Sequence, residues 1–184
     1  MTAKCKLCKA PATLKAGLFN FCNIDHAYEY SKLAKEKQQA NKAKKQRQSD
    51  RERKRVLKSR SEWLKDLQAV FNKFIRLRDK GLPCISCGHP DDGSRQRHAS
   101  HYKSVGSTPA LRFCEINCFA ACSICNNYLS GNLVPYRAAL IDKIGLEQVE
   151  WLEGPHSPLK LTIPEIQAMI AEYKLKVKEM EKAP

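Results

Sequence analysis

Three Cys-x-x-Cys pairs set the terms on which this chain can fold: Cys5 with Cys8, Cys84 with Cys87, and Cys122 with Cys125. Each pair presents two sulfurs from one tight turn, and two such turns complete the tetrahedral shell of a Zn2+ ion at about 2.3 Å per bond. Cys84, Cys87, Cys122 and Cys125 are therefore predicted to form a four-thiolate site with no open position, structural rather than reactive. Closing it ties together the ends of a 34-residue segment, which replaces a core that so short a stretch cannot build. Cys5, Cys8, Cys22 and His26 follow C-x2-C-x13-C-x3-H and predict a second structural zinc site, with Asp25 the alternative fourth ligand. Cys114 and Cys118 read as small buried hydrophobes. Nine cysteines is an odd number and no apolar leader precedes them, so a disulfide framework is a poor account and a reducing, cytoplasmic setting is expected. No βαβ pattern surrounds the pairs, which argues against redox chemistry.

Charge points to the partner. The 184 residues carry 33 Lys and Arg against 19 Asp and Glu, a net charge of +14 that suits a polyanion, with nucleic acid first. No run approaches the ~18 apolar residues of a membrane span. The surplus is concentrated: Ser31 to Arg60 holds thirteen basic residues and three acids, with no Gly or Pro. Strong helix formers dominate there, predicting a long solvated helix rather than a disordered linker. Lys44, Lys45, Arg51, Arg53, Lys54 and Arg55 are its candidate phosphate contacts.

The predicted class is α+β, mostly helical, in three parts: a zinc knuckle over 1–30, the basic helix over 31–60, and a domain over 61–184. In the knuckle, Phe19, Phe21, Tyr28 and Tyr30 are expected to cover the metal-held core. Ser59 with Glu62 makes a capping box, and Trp63, Leu67, Val70, Phe71, Phe74 and Leu77 recur at helical spacing until Gly81 and Pro83 stop the pattern. One helix is predicted over 135–152, with Tyr136, Leu140, Ile144, Val149 and Trp151 near one face. A last helix starts at Thr162, with Glu165 in capping-box register and Ile166, Met169, Ile170, Tyr173 and Val177 as its apolar stripe.

The dense core at 82–132 contains His98-Ala-Ser-His101-Tyr102, then Leu111-Arg-Phe113, Asn117, and Cys125-Asn126. A strand carrying His101, a second strand ending near Asn117 and a helix opening around Cys122 would make a ββα unit. The order His101, Asn117, Asn126 resembles the zinc-supported HNH (ββα-metal) nuclease motif. Leu82-Pro-Cys-Ile-Ser-Cys-Gly88, His101-Tyr102, Leu111-Arg-Phe113 and Ser130-Gly-Asn-Leu-Val-Pro-Tyr-Arg137 further resemble the NinG (Rap) recombination endonucleases of lambdoid phages, whose pattern covers nearly the whole chain.

That resemblance implies a phage-encoded, metal-dependent nuclease selective for branched DNA such as D-loops and Holliday junctions. His101 would deprotonate the attacking water. Asn126, with Asn127 its rival, would hold Mg2+ or Mn2+ beside His101, and Asn117 would orient the imidazole. Most HNH enzymes carry an acid where this chain has Ser100. His98 stands at the phage family's Asp-x-x-His position and would replace the carboxylate, favouring Mn2+. Tyr128 is expected to pack, while Lys103 and Arg112 would reach phosphates. A homodimer would suit a symmetric four-way junction, and recombination proteins are the expected companions. The competing class is a non-catalytic, zinc-stabilised DNA- or RNA-binding accessory protein, its warrant being the missing acid.

Overall fold

The structure is a computed structural model and describes residues 3–182. The chain divides into two compact units, Met1–Lys58 and Ser59–Pro184.

The first unit opens with a short antiparallel hairpin, β1 (Leu14–Ala16) and β2 (Phe19–Phe21), in the register Leu14↔Phe21, Lys15↔Asn20 and Ala16↔Phe19. Gly17 turns it at φ +60°, where a Cβ would be strained. Helix α1 then runs from Ile24 to Val56, capped by the Asn23 side chain, which accepts the His26 N–H at 2.8 Å. The helix therefore starts inside the knuckle rather than near Ser31, because the cap and the metal-site histidine share its first turn. Over 33 residues it extends about 50 Å and buries none of them. From Ser31 to Leu57 every residue is exposed, so its helicity rests on propensity and on local pairs such as Gln46–Asp50 and Glu52–Arg55. Tyr30 sits edge-on to Phe19 and tilted to Phe21, as a cover for the knuckle, but Tyr28 lies outside that cluster and is exposed.

The second unit is built on two capped helices, α2 (Arg60–Arg78) and α5 (Ile163–Met180). Both capping boxes form, at Ser59/Glu62 and Thr162/Glu165. Trp63, Leu67, Phe71 and Phe74 of α2 interlock with Ile166, Ile170, Tyr173 and Val177 of α5. Against α2 lies an antiparallel hairpin, β3 (Arg97–His101) and β4 (Cys118–Cys122), registered from Arg97↔Cys122 to His101↔Cys118. Its one face adds Ala99 and Cys118 to the helical core. Its other face contributes Phe119 to a second core with Tyr102, Leu111, Tyr136, Leu140, Val149 and Leu152. The buried Tyr136 hydroxyl spans the hairpin, donating to the Ser100 carbonyl at 2.7 Å and accepting the Phe119 N–H at 3.2 Å.

Four expectations need correction. Asn117 precedes the second strand rather than ending it, since Glu115–Asn117 forms a 3-10 turn. Beyond β4 the chain makes a five-residue π-helical turn, Ile124–Tyr128, which sends Cys125 back towards the Cys84 turn. Residues 135–152 are not one helix: α3 (Leu133–Ile144) and α4 (Leu146–Glu153) meet at Gly145, whose φ of +87° interrupts the helical path. After that break Trp151 is half exposed instead of facing the core. Among the described residues, no helix is long and apolar enough to cross a membrane.

The outer edge of β4 is closed by the end of α2. Asp79, almost fully buried, accepts the Ala120 N–H at 2.8 Å and two donors from Arg78, whose guanidinium also bonds the Glu115 and Cys118 carbonyls. Asp79→Ala would strand the Ala120 N–H and leave Arg78 without its anion. A loss of about 3–5 kcal/mol is expected by urea denaturation, and an unchanged midpoint would refute this role.

Candidate metal centres and the His101 cleft

The Cys84 turn closes through Gly88 N–H to the Cys84 carbonyl at 2.8 Å, with Gly88 at φ +70°. Cys122 ends β4, and Cys125 projects from the π-helical turn. The four sulfurs lie within 4.8 Å of one another, and Cys87 Sγ stands 3.8 Å from Cys122 Sγ. Tetrahedral Zn–S bonds of about 2.3 Å put their sulfurs about 3.8 Å apart, so this donor set fits zinc. Amide and guanidinium groups turn towards the sulfurs: Cys122 N–H to Cys84 Sγ at 3.2 Å, Asn132 Nδ2 to Cys125 Sγ at 3.7 Å, and Arg95 to Cys122 Sγ at 3.9 Å. Within the cluster the protons are shared unequally: burial raises the Cys122 thiol, but the Cys125 N–H, Arg95 and neighbouring thiols bring it down to about 6, while burial and the neighbouring thiols push Cys87 and Cys125 up. A thiolate is the form a metal needs.

The knuckle gathers Cys5, Cys8, Cys22 and His26 in the same way. Cys22 Sγ is 3.0 Å and Cys5 Sγ 3.7 Å from His26 Nδ1, and Cys8 Sγ is 3.6 Å from Cys22 Sγ. His26, not Asp25, completes the set. Burial raises Cys5, yet N–H donors at Cys8 and Cys22 with the His26 ring bring it to about 5, while burial and the Cys8 and Cys5 thiols push Cys22 up to about 11. Among the described residues these are the two groups of three or more His, Cys, Asp or Glu able to share an ion.

His101 ends β3 and lines a cleft of about 330 Å³ with Tyr102, Lys103, Ser104, Ser107, Ser130 and Leu133. Its Nε2 is 2.9 Å from the Arg112 carbonyl, which can only accept, so Nε2 carries the proton and Nδ1 the lone pair. Nδ1 faces the Cys118 thiol at 3.7 Å, and the Phe71 ring lies tilted at 6.1 Å between centroids. Burial pushes the Cys118 thiol far up, so it is a neutral, weak donor to that lone pair. Burial also holds His101 below its ordinary value of 6.5, leaving it neutral at neutral pH. Beside the cleft, Tyr102 donates its hydroxyl to Glu153, which Arg137 grips through two bonds of 2.8 and 3.0 Å. Those bonds, Arg137's first, hold Glu153 down at about 2.

The other predicted site residues are dispersed. Asn117 makes no hydrogen bond to the His101 ring among the described residues. Fully buried, it accepts the Lys103 N–H and donates to the Lys103 and Leu111 carbonyls, so it fixes the loop, and the Arg112 carbonyl orients the imidazole instead. Asn126 is half-buried and donates to Asn127 Oδ1 at 2.8 Å, with no hydrogen bond to His101 among the described residues. Its own Oδ1 accepts no hydrogen bond among the described residues. His98 lies on the opposite face of β3 from His101, and its Nε2 is buried with no partner. Ser100 is buried and offers its carbonyl to Tyr136. Arg112 donates its Nε–H to Gln68 at 2.7 Å beside the Phe113 ring, and Lys103 lines the cleft. Lys44, Lys45, Arg51, Arg53, Lys54 and Arg55 stand exposed on α1. The Arg112 carbonyl and the Cys118 thiol were missed: a backbone carbonyl leaves no trace in residue type, and Cys118 read only as filler.

Together these features define a class: a small α+β protein clamped by two zinc-compatible Cys-rich sites and carrying an uncovered basic helix. The chain belongs to the NinG family, since the model for the bacteriophage lambda NinG protein matches residues 1–183. Protein ninG of Escherichia phage lambda is 48% identical over 128 residues, covering 70% of this chain and 62% of that protein. Its counterparts in Escherichia phage 933W and Salmonella phage P22 are each 46% identical over 128 residues, 70% of this chain and 63% and 62% of theirs. The matched stretch thus spans under two thirds of each relative. No solved structure matches the chain.

Metal analysis of the purified protein should give two zinc ions per chain, one lost in Cys125→Ser and the other in Cys8→Ser; full zinc content in either variant would exclude that cluster as a site. His101 is expected to titrate below 6.5 by NMR. Because the folded state then takes up fewer protons than the unfolded chain, His101 costs stability as pH falls below about 6.5. A midpoint at or above 6.5 would contradict the buried, neutral imidazole.

Proposed function

We propose that the chain is a metal-dependent DNA endonuclease of HNH type that hydrolyses phosphodiesters in branched DNA, D-loops and Holliday junctions, during phage recombination. The supporting observation is His101 itself: an imidazole at a cleft, neutral, with Nε2–H fixed on a carbonyl and Nδ1 left as the basic nitrogen. A water reaching Nδ1 from the cleft, in place of the weak contact to the buried Cys118 thiol, would give its proton there. Lys103 supplies positive charge at the same cleft for a phosphate oxygen. A Mg2+ or Mn2+ ion held through Asn126 Oδ1 would supply charge for the phosphoryl and leaving 3′ oxygens. His98 is the poorer ligand for an ion shared with His101, since β3 separates the two rings. The exposed α1 grips phosphates without reading sequence.

A second reading, a non-catalytic DNA- or RNA-binding accessory protein, is favoured by the depth of the His101 ring and by the absence of a carboxylate among the residues lining its cleft. One experiment separates the two. Labelled four-way junction, D-loop and duplex are incubated with and without Mg2+ or Mn2+, using wild type and His101→Ala. The nuclease requires metal-dependent cutting of branched DNA, reduced about 100-fold or more in the variant while binding persists. Retention of branched DNA by a wild type that never cuts it, with either metal, would establish the accessory protein instead.

A further inference from the structure

The segment beyond the four-cysteine clamp leaves much apolar surface uncovered. Tyr128 is 80% exposed and Val134 86%, with Leu129 and Leu133 about half exposed between them. Tyr128 therefore does not pack, contrary to expectation, and its hydroxyl has no hydrogen bond among the described residues. The segment is held firmly all the same. Leu129 N–H bonds the Ile124 carbonyl at 3.1 Å, Asn132 N–H the Leu129 carbonyl at 2.7 Å, and Gly131 N–H the Cys125 carbonyl at 2.8 Å. The buried Ser86 hydroxyl fastens the Gly131 carbonyl at 2.8 Å. Three successive residues, Ser130, Gly131 and Asn132, sit at positive φ, two of them with side chains. Such strain persists where the surroundings impose it, and it clusters at ligand-binding positions. Ser130 and Leu133 of this segment also line the His101 cleft, whose one charged lining residue, Lys103, is a cation.

We propose that Tyr128, with Leu129, Leu133 and Val134 around it, is a stacking platform for an unstacked nucleobase at a DNA branch point. The proposal rests on reading the His101 cleft as a DNA site and adds what makes that site selective. A plain duplex hides its base faces in the stack, whereas a branch point exposes them. Every base has a π face, so an aromatic held out on a rigid turn binds any of them, and neighbouring aliphatic groups exclude water from the contact. Continuity with the cleft would set the platform beside the phosphodiester presented to His101.

The test uses the full-length protein without added divalent metal, so that binding is read apart from cutting. Affinities are measured for a four-way junction, a forked DNA with 2-aminopurine at the branch, and a duplex of equal length. Tyr128→Ala should weaken binding to both branched DNAs by about 5- to 100-fold, leave duplex binding and thermal melting unchanged, and abolish quenching of the 2-aminopurine. Tyr128→Phe should behave as wild type. Equal loss on duplex and branched DNA, no loss at all, or a wild type that prefers neither form would overturn the platform. So would a wild-type dimer that Tyr128→Ala dissociates, since the face would then bind a second copy. Branch selectivity lost in Tyr128→Ala from a protein that never cuts would sink the nuclease and leave the platform standing. Cutting that depends on His101 but whose branch selectivity ignores Tyr128 would do the reverse.

Discussion

The four-sulfur cluster at Cys84, Cys87, Cys122 and Cys125 is the constraint on which the rest of the second unit depends. A two-stranded hairpin is at best marginal in water, yet β3 and β4 carry His101, His98 and Ser100 and must hold one register. The clamp secures the hairpin at Cys122, Asp79 and Arg78 close its outer edge, and Tyr136 ties its strands across the second core. The same cluster acts beyond the strands: Cys125 pulls the chain into a π-helical turn, and that turn sets where Ser130 and Leu133 meet the cleft. A slip of one residue in β4 would exchange the faces of every side chain on it, moving Cys118 off His101 and Phe119 out of its core.

Charge is divided unevenly between the two units. Met1–Lys58 holds 16 of the 33 basic residues but only 5 of the 19 acidic ones, a net +11, which leaves +3 for Ser59–Pro184. The first unit has the composition of a general phosphate grip on an exposed helix. The second is nearly neutral, and many of its ionic groups are committed internally: Arg78 to Asp79, Arg137 to Glu153, Lys176 to Glu115 and Glu172. Its cleft offers hydroxyls, one lysine and a neutral imidazole rather than a field.

What could be read from residues alone was what local chemistry decides. The Cys-x-x-Cys spacings foretold both clusters, and Ser59/Glu62 and Thr162/Glu165 marked two helix starts, because each needs only a few adjacent residues. The failures share a cause in longer-range competition. Asn23 took the α1 cap because His26 had to face the cysteines, while a composition shift at Ser31 suggested a boundary that the backbone ignores. The single helix predicted over 135–152 breaks at Gly145, beyond which α4 takes a new direction and buries Val149 and Leu152. Asn117 has the residue type for touching a histidine, but its burial obliged all its polar atoms to satisfy the 103–111 loop. Tyr128 has the residue type for a core, and the strained turn behind it turns it outward.

For a DNA partner, that division has a consequence that salt can separate. Contacts from α1 to phosphates draw on counterion release, so they weaken steeply with ionic strength and treat duplex and branch nearly alike. Discrimination therefore has to come from surface whose energy depends on shape and not on charge, and uncharged stacking at Tyr128 is such a surface. Raising salt then lowers the affinity for both forms by the same factor, and the preference for branched DNA over duplex, set by stacking, holds while total affinity falls. If selectivity came instead from a denser array of phosphate contacts at a junction, salt would erode preference and affinity together. The uneven charge of the two units and the rigid apolar rim of the cleft are what a protein needs for the first behaviour.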